Sequence, residues 1–351
     1  MTTTTPAEST GDGAGTPEQD HFSQVYHLIM AAWGSQAVRA IASLSVAEHL
    51  DSGPLSAQDI ALRESSDPAM TYRVLRAGAA LGLLTHDTEQ GTFSPTPMLA
   101  VLHEDSPVSL KHYAQAAIGP AFWLPAVLLP EAVAAGSPQA VQALGSTVFE
   151  YFGKNPEEAR AFGAAMTDLS TPVIREAAAV IDVGTATTVL DVGGAHGVFV
   201  SELVHRNPRL TGSVLELAHV AEAVAVEARE RGLEGRITGI AGDFFESVPT
   251  ADIYLLKHVL HDWDDTACHA ILSNIRDAMP PGARLFVVEM LIGEGGASSG
   301  AALMDMAMLF ATTGQERDLS QFDALLAAAG LCRTRAVALR SPYCLIEAEV
   351  R

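Results

Sequence analysis

The stretch that most constrains this chain is residues 188–265, which opens Thr188-Val189-Leu190-Asp191-Val192-Gly193-Gly194-Ala195-His196-Gly197. An apolar, β-branched run ends in an acid, a glycine-rich turn follows, and residues 198–205 read as a helix. Strand, tight turn and helix N-terminus together bring backbone N–H groups close to a nucleotide-like ligand. Such a turn also occurs where a helix merely packs on a strand, so the segments downstream decide. Residues 212–217 read as a second strand with Glu216 at its carboxyl end, where a doubly wound sheet offers an acceptor to ribose hydroxyls. Residues 237–241 make a third strand, followed by Asp243 and Phe244, a carboxylate beside an aromatic that suits an adenine. Residues 252–256 are a buried fourth strand, running into Lys257-His258-Val259-Leu260-His261-Asp262-Trp263-Asp264-Asp265. Four strand ends thus deliver polar groups to one edge of one sheet, where ligands bind in such folds.

In order and spacing, Asp191-x-Gly193-Gly194-x-x-Gly197, Gly242-Asp243-Phe244-Phe245 and His261-Asp262-Trp263-x-Asp265 resemble the motifs of one family. It is the class I S-adenosylmethionine-dependent O-methyltransferases of plant and bacterial secondary metabolism, antibiotic biosynthesis included. The match continues through Val288-Glu289-Met290 and residues 304–309 to Gly314-Gln315-Glu316-Arg317, so it covers the chain beyond the first twenty residues or so. Two positions depart from the family pattern: Ala195 stands where glycine is usual, and Glu216 where aspartate is more frequent. The resemblance implies a Rossmann-like, seven-stranded α/β methyltransferase domain behind a mainly helical, winged-helix-like dimerisation domain.

The composition bounds the size of the core and the partners to expect. At 351 residues and 48% apolar content the chain can bury a sizeable core. Its 42 acidic residues against 21 basic ones leave a net charge of −21, which repels nucleic acid and anionic membrane, so neither is an expected partner. Cys268, Cys332 and Cys344 lack metal or redox spacing, so no metal and a reduced, cytoplasmic setting are expected. The N-terminus has no basic residue before an apolar core, and the apolar stretch 122–136 is broken by Pro125, Pro130 and Glu131. Neither a signal peptide nor a membrane span is expected.

Four regions follow. Residues 1–20 are small, polar and acidic without periodicity and read as a disordered tail. Residues 21–105 read as helices ending in a hairpin: Val25, Leu28, Ile29 and Ala32 share a helical face with Ala37, Ala40, Ile41 and Leu44. Shorter helices are expected over 46–50, 56–63 (capped by Ser56 with Asp59) and 68–83, then a hairpin over 83–95. A helical group ending in a wing often reads DNA, a use the acidic balance opposes. The resemblance instead implies a homodimer in which Tyr26 and Trp33 reach the partner's pocket or its interface core. Residues 106–185 form a helical connector rich in aromatics and methionines, with Pro156 opening a helix. Residues 186–351 hold the α/β domain, with later strands over 284–289, 332–338 and 343–350.

Methyl transfer from a sulfonium to an oxygen is an in-line displacement, so the protein must align the groups and exclude water. A phenol near pKa 10 and a histidine near 6.5 differ by roughly 5 kcal/mol, which concerted proton removal largely avoids. The resemblance assigns His261 as the general base, with Glu289 and Glu316 flanking it to fix the ring and stabilise the imidazolium. The plainer readings of the two acids are a sheet-end carboxylate and a helix-start charge. Asp191, Gly193, Gly194, Glu216, Asp243 and Phe244 are expected to hold S-adenosylmethionine, with Lys257 toward the purine side and Trp263 against its ring. Phe162 and Met166, an i, i+4 pair, join Met308 as expected walls of a small-molecule aromatic acceptor pocket, or as ordinary core. Asp262 is placed with the acceptor set, pointing away from the base, and His258 and His269 are read as surface or capping residues. A second reading is an enzyme of this fold that keeps the cofactor without methylating, as in hydroxylation, decarboxylation or pericyclic steps. A third is a non-catalytic ligand-sensing or DNA-binding protein.

Overall fold

The structure is a computed structural model that describes residues 17–293, 299–340 and 342–351. The expected tail therefore lies outside the described residues up to position 16, while residues 17–20 already belong to a helix. The chain folds as two compact units that divide after Ala100.

The first unit contains α1 (Pro17–Ser43), α2 (Val46–His49), α3 (Ala57–Arg63) and α4 (Pro68–Ala80), with strands β1 (Leu55–Ser56), β2 (Leu84–Asp87) and β3 (Thr92–Pro95). The cap of α3 forms as its sequence implies: Ser56 Oγ accepts the Asp59 N–H at 3.2 Å, and Asp59 Oδ2 accepts the Ser56 N–H at 3.1 Å. The expected hairpin gains a third strand, because β1 pairs with β3 through Leu55 and Ser56. Two residues are too short a run to show a period of two. Ile41, Val46, Leu50, Ile60, Leu75, Leu84 and Phe93 close the core. The first half of α1 is different. Phe22, Leu28, Ile29 and Trp33 are 74, 75, 63 and 65% exposed, so its apolar face is not satisfied within this unit.

The second unit opens with α5 (Lys111–Ala116), α6 (Pro120–Val127), α7 (Leu129–Ala135), α8 (Ala140–Leu144), α9 (Val148–Lys154) and α10 (Pro156–Val180). Then strands and helices alternate: β4 (Thr188–Val192), α11 (Val198–Arg206), β5 (Thr211–Glu216), α12 (Ala218–Glu230), β6 (Ile237–Ala241) and β7 (Ile253–Lys257). They are followed by α13 (Asp265–Ala278), β8 (Arg284–Met290), α14 (Ser299–Ala311), α15 (Leu319–Ala328), β9 (Leu331–Ala338) and β10 (Tyr343–Val350). Among the described residues the sheet has seven strands in the order β6-β5-β4-β7-β8-β10-β9, with β10 antiparallel to both its neighbours. The other pairings are parallel.

Both faces of the sheet are buried, and strict alternation assigns the side chains. Val189, Ile253, Leu255, Phe286 and Val288 pack with Ile174 and Ala177 of α10 and with Phe199, Leu203 and Val204 of α11. Leu190, Val192, Tyr254, Leu256, Leu285 and Val287 pack with Ile271 and Ile275 of α13 and with Phe322 and Leu325 of α15. The helical connector is thus packed into the second unit through α10. The order reverses at β4: β5 and β6 build outward on one side, β7 and β8 on the other. Such a switch point leaves a crevice beyond the strands' carboxyl ends. No helix among the described residues is long and apolar enough to cross a membrane.

Candidate active site

Gly193, Gly194 and Gly197 form the turn after β4. A Cβ at Gly193 would lie 3.1 Å from Val259 Cγ2 and 3.5 Å from Phe244 Cε1, so that position has little room for a side chain. Asp191 is 2% exposed and supports the turn from below, its Oδ2 accepting the Val200 N–H at 3.2 Å. Burial pushes this carboxyl up to about 7. Ala195 holds φ 48°, the left-handed region that glycine adopts freely, at a cost on the order of 1 kcal/mol. Its N–H donates to Glu216 Oε1 at 3.0 Å, which ties the glycine-rich turn to the end of β5. The longer stem of glutamate makes that bridge. Asp243 accepts the Phe245 N–H at 2.8 Å just past β6. Turn, Glu216 and Asp243 therefore share one edge of the sheet.

Trp263 stands edge-on to Phe245, ring centroids 4.8 Å apart, and is stacked on Phe149 at 6.0 Å. Phe149 belongs to the aromatic-rich connector, and nothing in its local pattern on α9 singles it out. Lys257, expected on the purine side, ends β7. Strand alternation sends it to the α10 face, where Nζ donates to Ser170 Oγ at 2.7 Å. Burial pushes its ammonium down to about 8, against the raising pull of Glu289, Asp191 and Asp262.

His261 lies in a 3-10 turn, Leu260–Asp262, and is 7% exposed. Its Nδ1 shares a 2.7 Å hydrogen bond with Oε1 of Glu316, which is 4% exposed. Its Nε2 is 3.7 Å from Asp262 Oδ1, so that carboxylate faces the ring instead of pointing away. Glu289 is fully buried at the end of β8 and uses Oε1 to accept the N–H groups of Val259 and Leu260 at 3.1 and 3.0 Å. It braces the backbone entering the turn that carries His261. Burial alone would lower His261, yet Asp262, Glu289 and Glu316 raise it to about 9. Burial lifts Glu289 to about 7 despite the favourable charge of His261. Ligand-capable atoms of His261, Glu289 and Glu316 lie within 4.8 Å of one another. Oε1 of each acid accepts a protein donor, while Oε2 of each is buried without a hydrogen-bond partner among the described residues.

His258 corrects the sequence reading. It is not a surface residue: its ring is stacked on His261, with centroids 4.9 Å apart, and on Tyr343 at 5.3 Å. His269 is exposed, its Nε2 3.2 Å from the Ala328 carbonyl oxygen. On α10, Phe162 stacks on Phe152 with centroids 4.7 Å apart and tilts against Phe122 at 5.6 Å. These rings pack with Phe310 and Ala311 of α14, the helix that carries the buried Met308. Met166 is one turn after Phe162 and partly buried.

The sequence matches the O-methyltransferase domain family over residues 127–332 and the O-methyltransferase dimerisation domain family over residues 26–105. A mitomycin biosynthesis 6-O-methyltransferase of Streptomyces lavendulae is 34% identical over 332 residues, 92% of this chain and 93% of that protein. The solved mitomycin 7-O-methyltransferase MmcR superposes with a TM-score of 0.89 at 31% identity, covering 96% of this chain and all of that one. NcsB1, an O-methyltransferase from neocarzinostatin biosynthesis, was solved with S-adenosylmethionine and 2-hydroxy-5-methyl naphthoic acid. It superposes with a TM-score of 0.78 at 30% identity over 90% of this chain and 96% of its own. Family domains in both units, and relatives matched over nearly their whole length, establish that this chain belongs to the O-methyltransferase family.

Proposed function

We propose that this enzyme transfers the methyl group of S-adenosylmethionine to a phenolic hydroxyl of an aromatic small molecule, with His261 as general base. The observation that carries the reading is the state of the His261 ring: Nδ1 is held by the buried Glu316, and among the described residues the nearest carboxylate to Nε2, Asp262, stands off at 3.7 Å. That leaves one nitrogen to meet the acceptor's O–H. When bound, S-adenosylmethionine supplies a methyl carbon already activated by the sulfonium. The glycine turn, Glu216 and Asp243 hold and orient the adenosyl part. His261 takes the acceptor's proton as the new C–O bond forms, and Glu316 stabilises the imidazolium that results. Asp262, beside Nε2, is placed to orient a polar group of the acceptor.

The phenylalanines of α6, α9 and α10, with Met166 and Met308, suit a flat apolar ring. The naphthoic acid bound by NcsB1 supports an acceptor of that class. The unsatisfied apolar face of α1, in a segment matching a dimerisation domain, supports a homodimer. Three free cysteines, two of them buried, agree with a reduced cytoplasmic setting. The complete His261, Glu289 and Glu316 set speaks for methylation over a cofactor-retaining side reaction. The test is to supply methyl-labelled S-adenosylmethionine with a panel of hydroxylated naphthoates, phenazines and benzoates. Label should appear on oxygen with one S-adenosylhomocysteine released per product. Conversion without S-adenosylhomocysteine would overturn the reading.

A further inference from the structure

The turn that carries His261 does not support itself. Its own hydrogen bonds, Asp262 N–H to Val259 O and Trp263 N–H to Leu260 O, are long at 3.2 and 3.3 Å. It is three residues of 3-10 geometry, a conformation with poor hydrogen-bond alignment. Glu316 and the stacked His258 hold the imidazole ring, but neither holds the backbone of the turn that carries it. Something must hold the backbone on the far side of Glu289.

Arg317 does this. Its guanidinium is 1% exposed, and all five of its N–H groups are engaged. Nη1 donates to the Leu260 carbonyl at 2.9 Å and to the Gln315 carbonyl at 3.4 Å. Nη2 donates to the Trp263 carbonyl at 2.8 Å and to Asp265 Oδ1 at 2.8 Å, which Nε also reaches at 3.1 Å. Leu260 and Trp263 bracket His261. A charge pair is not the main purpose, because the Asp265 side chain is 69% exposed and solvent screens it. The buried carbonyls are what the rigid fork fits.

The segment around Arg317 is itself anchored. The Arg317 carbonyl accepts the Ile292 N–H at 3.2 Å, beside the chain that carries Glu289. Gly314 lies so close that a Cβ there would overlap the His261 carbonyl oxygen. One dipeptide, Glu316-Arg317, therefore holds both the ring and the backbone beneath it. We infer that Arg317 is a positioning residue that sets the reach of His261 Nε2 toward the acceptor. The inference rests on the reading of His261 as the base.

Arg317→Lys keeps the charge but cannot bridge two carbonyls with a planar fork. Asp265→Asn loosens the guanidinium from its exposed side and leaves the core intact, so it serves where the lysine variant fails to fold. For either folded variant, S-adenosylmethionine affinity and acceptor KM should stay within about threefold of wild type. Turnover per binding site should fall about 10- to 100-fold in Arg317→Lys and less in Asp265→Asn. The acid limb of the pH–kcat profile should move to lower pH, because a tilted ring loses the Glu316 bond that raises it. Arg317→Met should be worse than Arg317→Lys. Wild-type turnover in both folded variants, or a loss with an unmoved pH profile, would overturn the inference. His261→Ala, run alongside, separates the two failures. If it too retains wild-type turnover, the base assignment falls; if it alone is inactive, only the role of Arg317 falls.

Discussion

His258 lies nearly parallel to His261, their ring centroids 4.9 Å apart and their planes 24° off parallel. Burial, the nearby Lys257 charge and His261 itself push His258 well below the ordinary histidine range, so this ring stays neutral while its neighbour titrates. A flat neutral ring against His261 limits the angles that ring can sample. Stacked aromatic pairs contribute about 0.5–1.5 kcal/mol beyond their burial. His258→Ala should accordingly lower kcat about 2- to 12-fold, and His258→Phe should restore most of it. Steady-state kinetics on one phenolic acceptor checks both.

His261→Ala leaves the glycine turn, Glu216 and Asp243 untouched, since they stand on other strand ends. Donor affinity should change by less than tenfold, about 1.4 kcal/mol. Turnover should fall by about 10²–10⁴, the usual contribution of a placed base. Raising the pH should recover part of it, because more acceptor is then ionised before it binds. Calorimetry and a product assay read the two quantities separately.

The rate should rise with pH as His261 loses its proton, since only the neutral ring accepts one. Asp262, Glu289 and Glu316 hold that ring up near 9, so removing one of these charges makes the proton easier to lose. Glu316→Gln should shift the acid limb of kcat/KM to lower pH. Its maximal rate should drop less than in His261→Ala. An unchanged limb would mean that the charge of Glu316 does not reach the titrating group.

Asp243→Ala removes the acceptor expected at the adenine amino group. Titration with S-adenosylmethionine should show a loss of about 1–3 kcal/mol, the cost of an unsatisfied polar partner. Unchanged affinity would put the adenine elsewhere on the sheet edge.

The apolar face of α1 should mediate self-association. Leu28→Lys together with Trp33→Glu places two charges on a face that is otherwise 63–75% exposed hydrophobe at Leu28, Ile29 and Trp33. Light scattering on the full chain should report monomers in place of dimers. A dimer of unchanged strength would remove α1 from the interface.

Most strands of the sheet were legible in the residues because each is a short, β-branched or apolar run. The expected spans over 237–241, 284–289, 332–338 and 343–350 correspond to β6, β8, β9 and β10 within one residue. Strand alternation also fixes faces. Lys257 shares parity with Ile253 and Leu255, which turns it toward α10. That placement was derivable once both faces were known to be buried, but a purely apolar strand hides which face is which.

Local sequence determined where the strands, caps and glycine turn lie, because those depend on backbone preference and on periodicity within a few residues. It also placed His261 just past a strand end. Tertiary structure alone decided what surrounds that ring. His258 and Asp262 are sequence neighbours whose orientation depends on a positive φ at His258 and a 3-10 turn. Glu289, Glu316 and Arg317 reach the same turn from 28, 55 and 56 residues away, counting from His261. No periodicity links such positions. Side chains this far apart in the chain meet only because the sheet brings β7 beside β8 and hydrogen bonding then joins the segments that follow them.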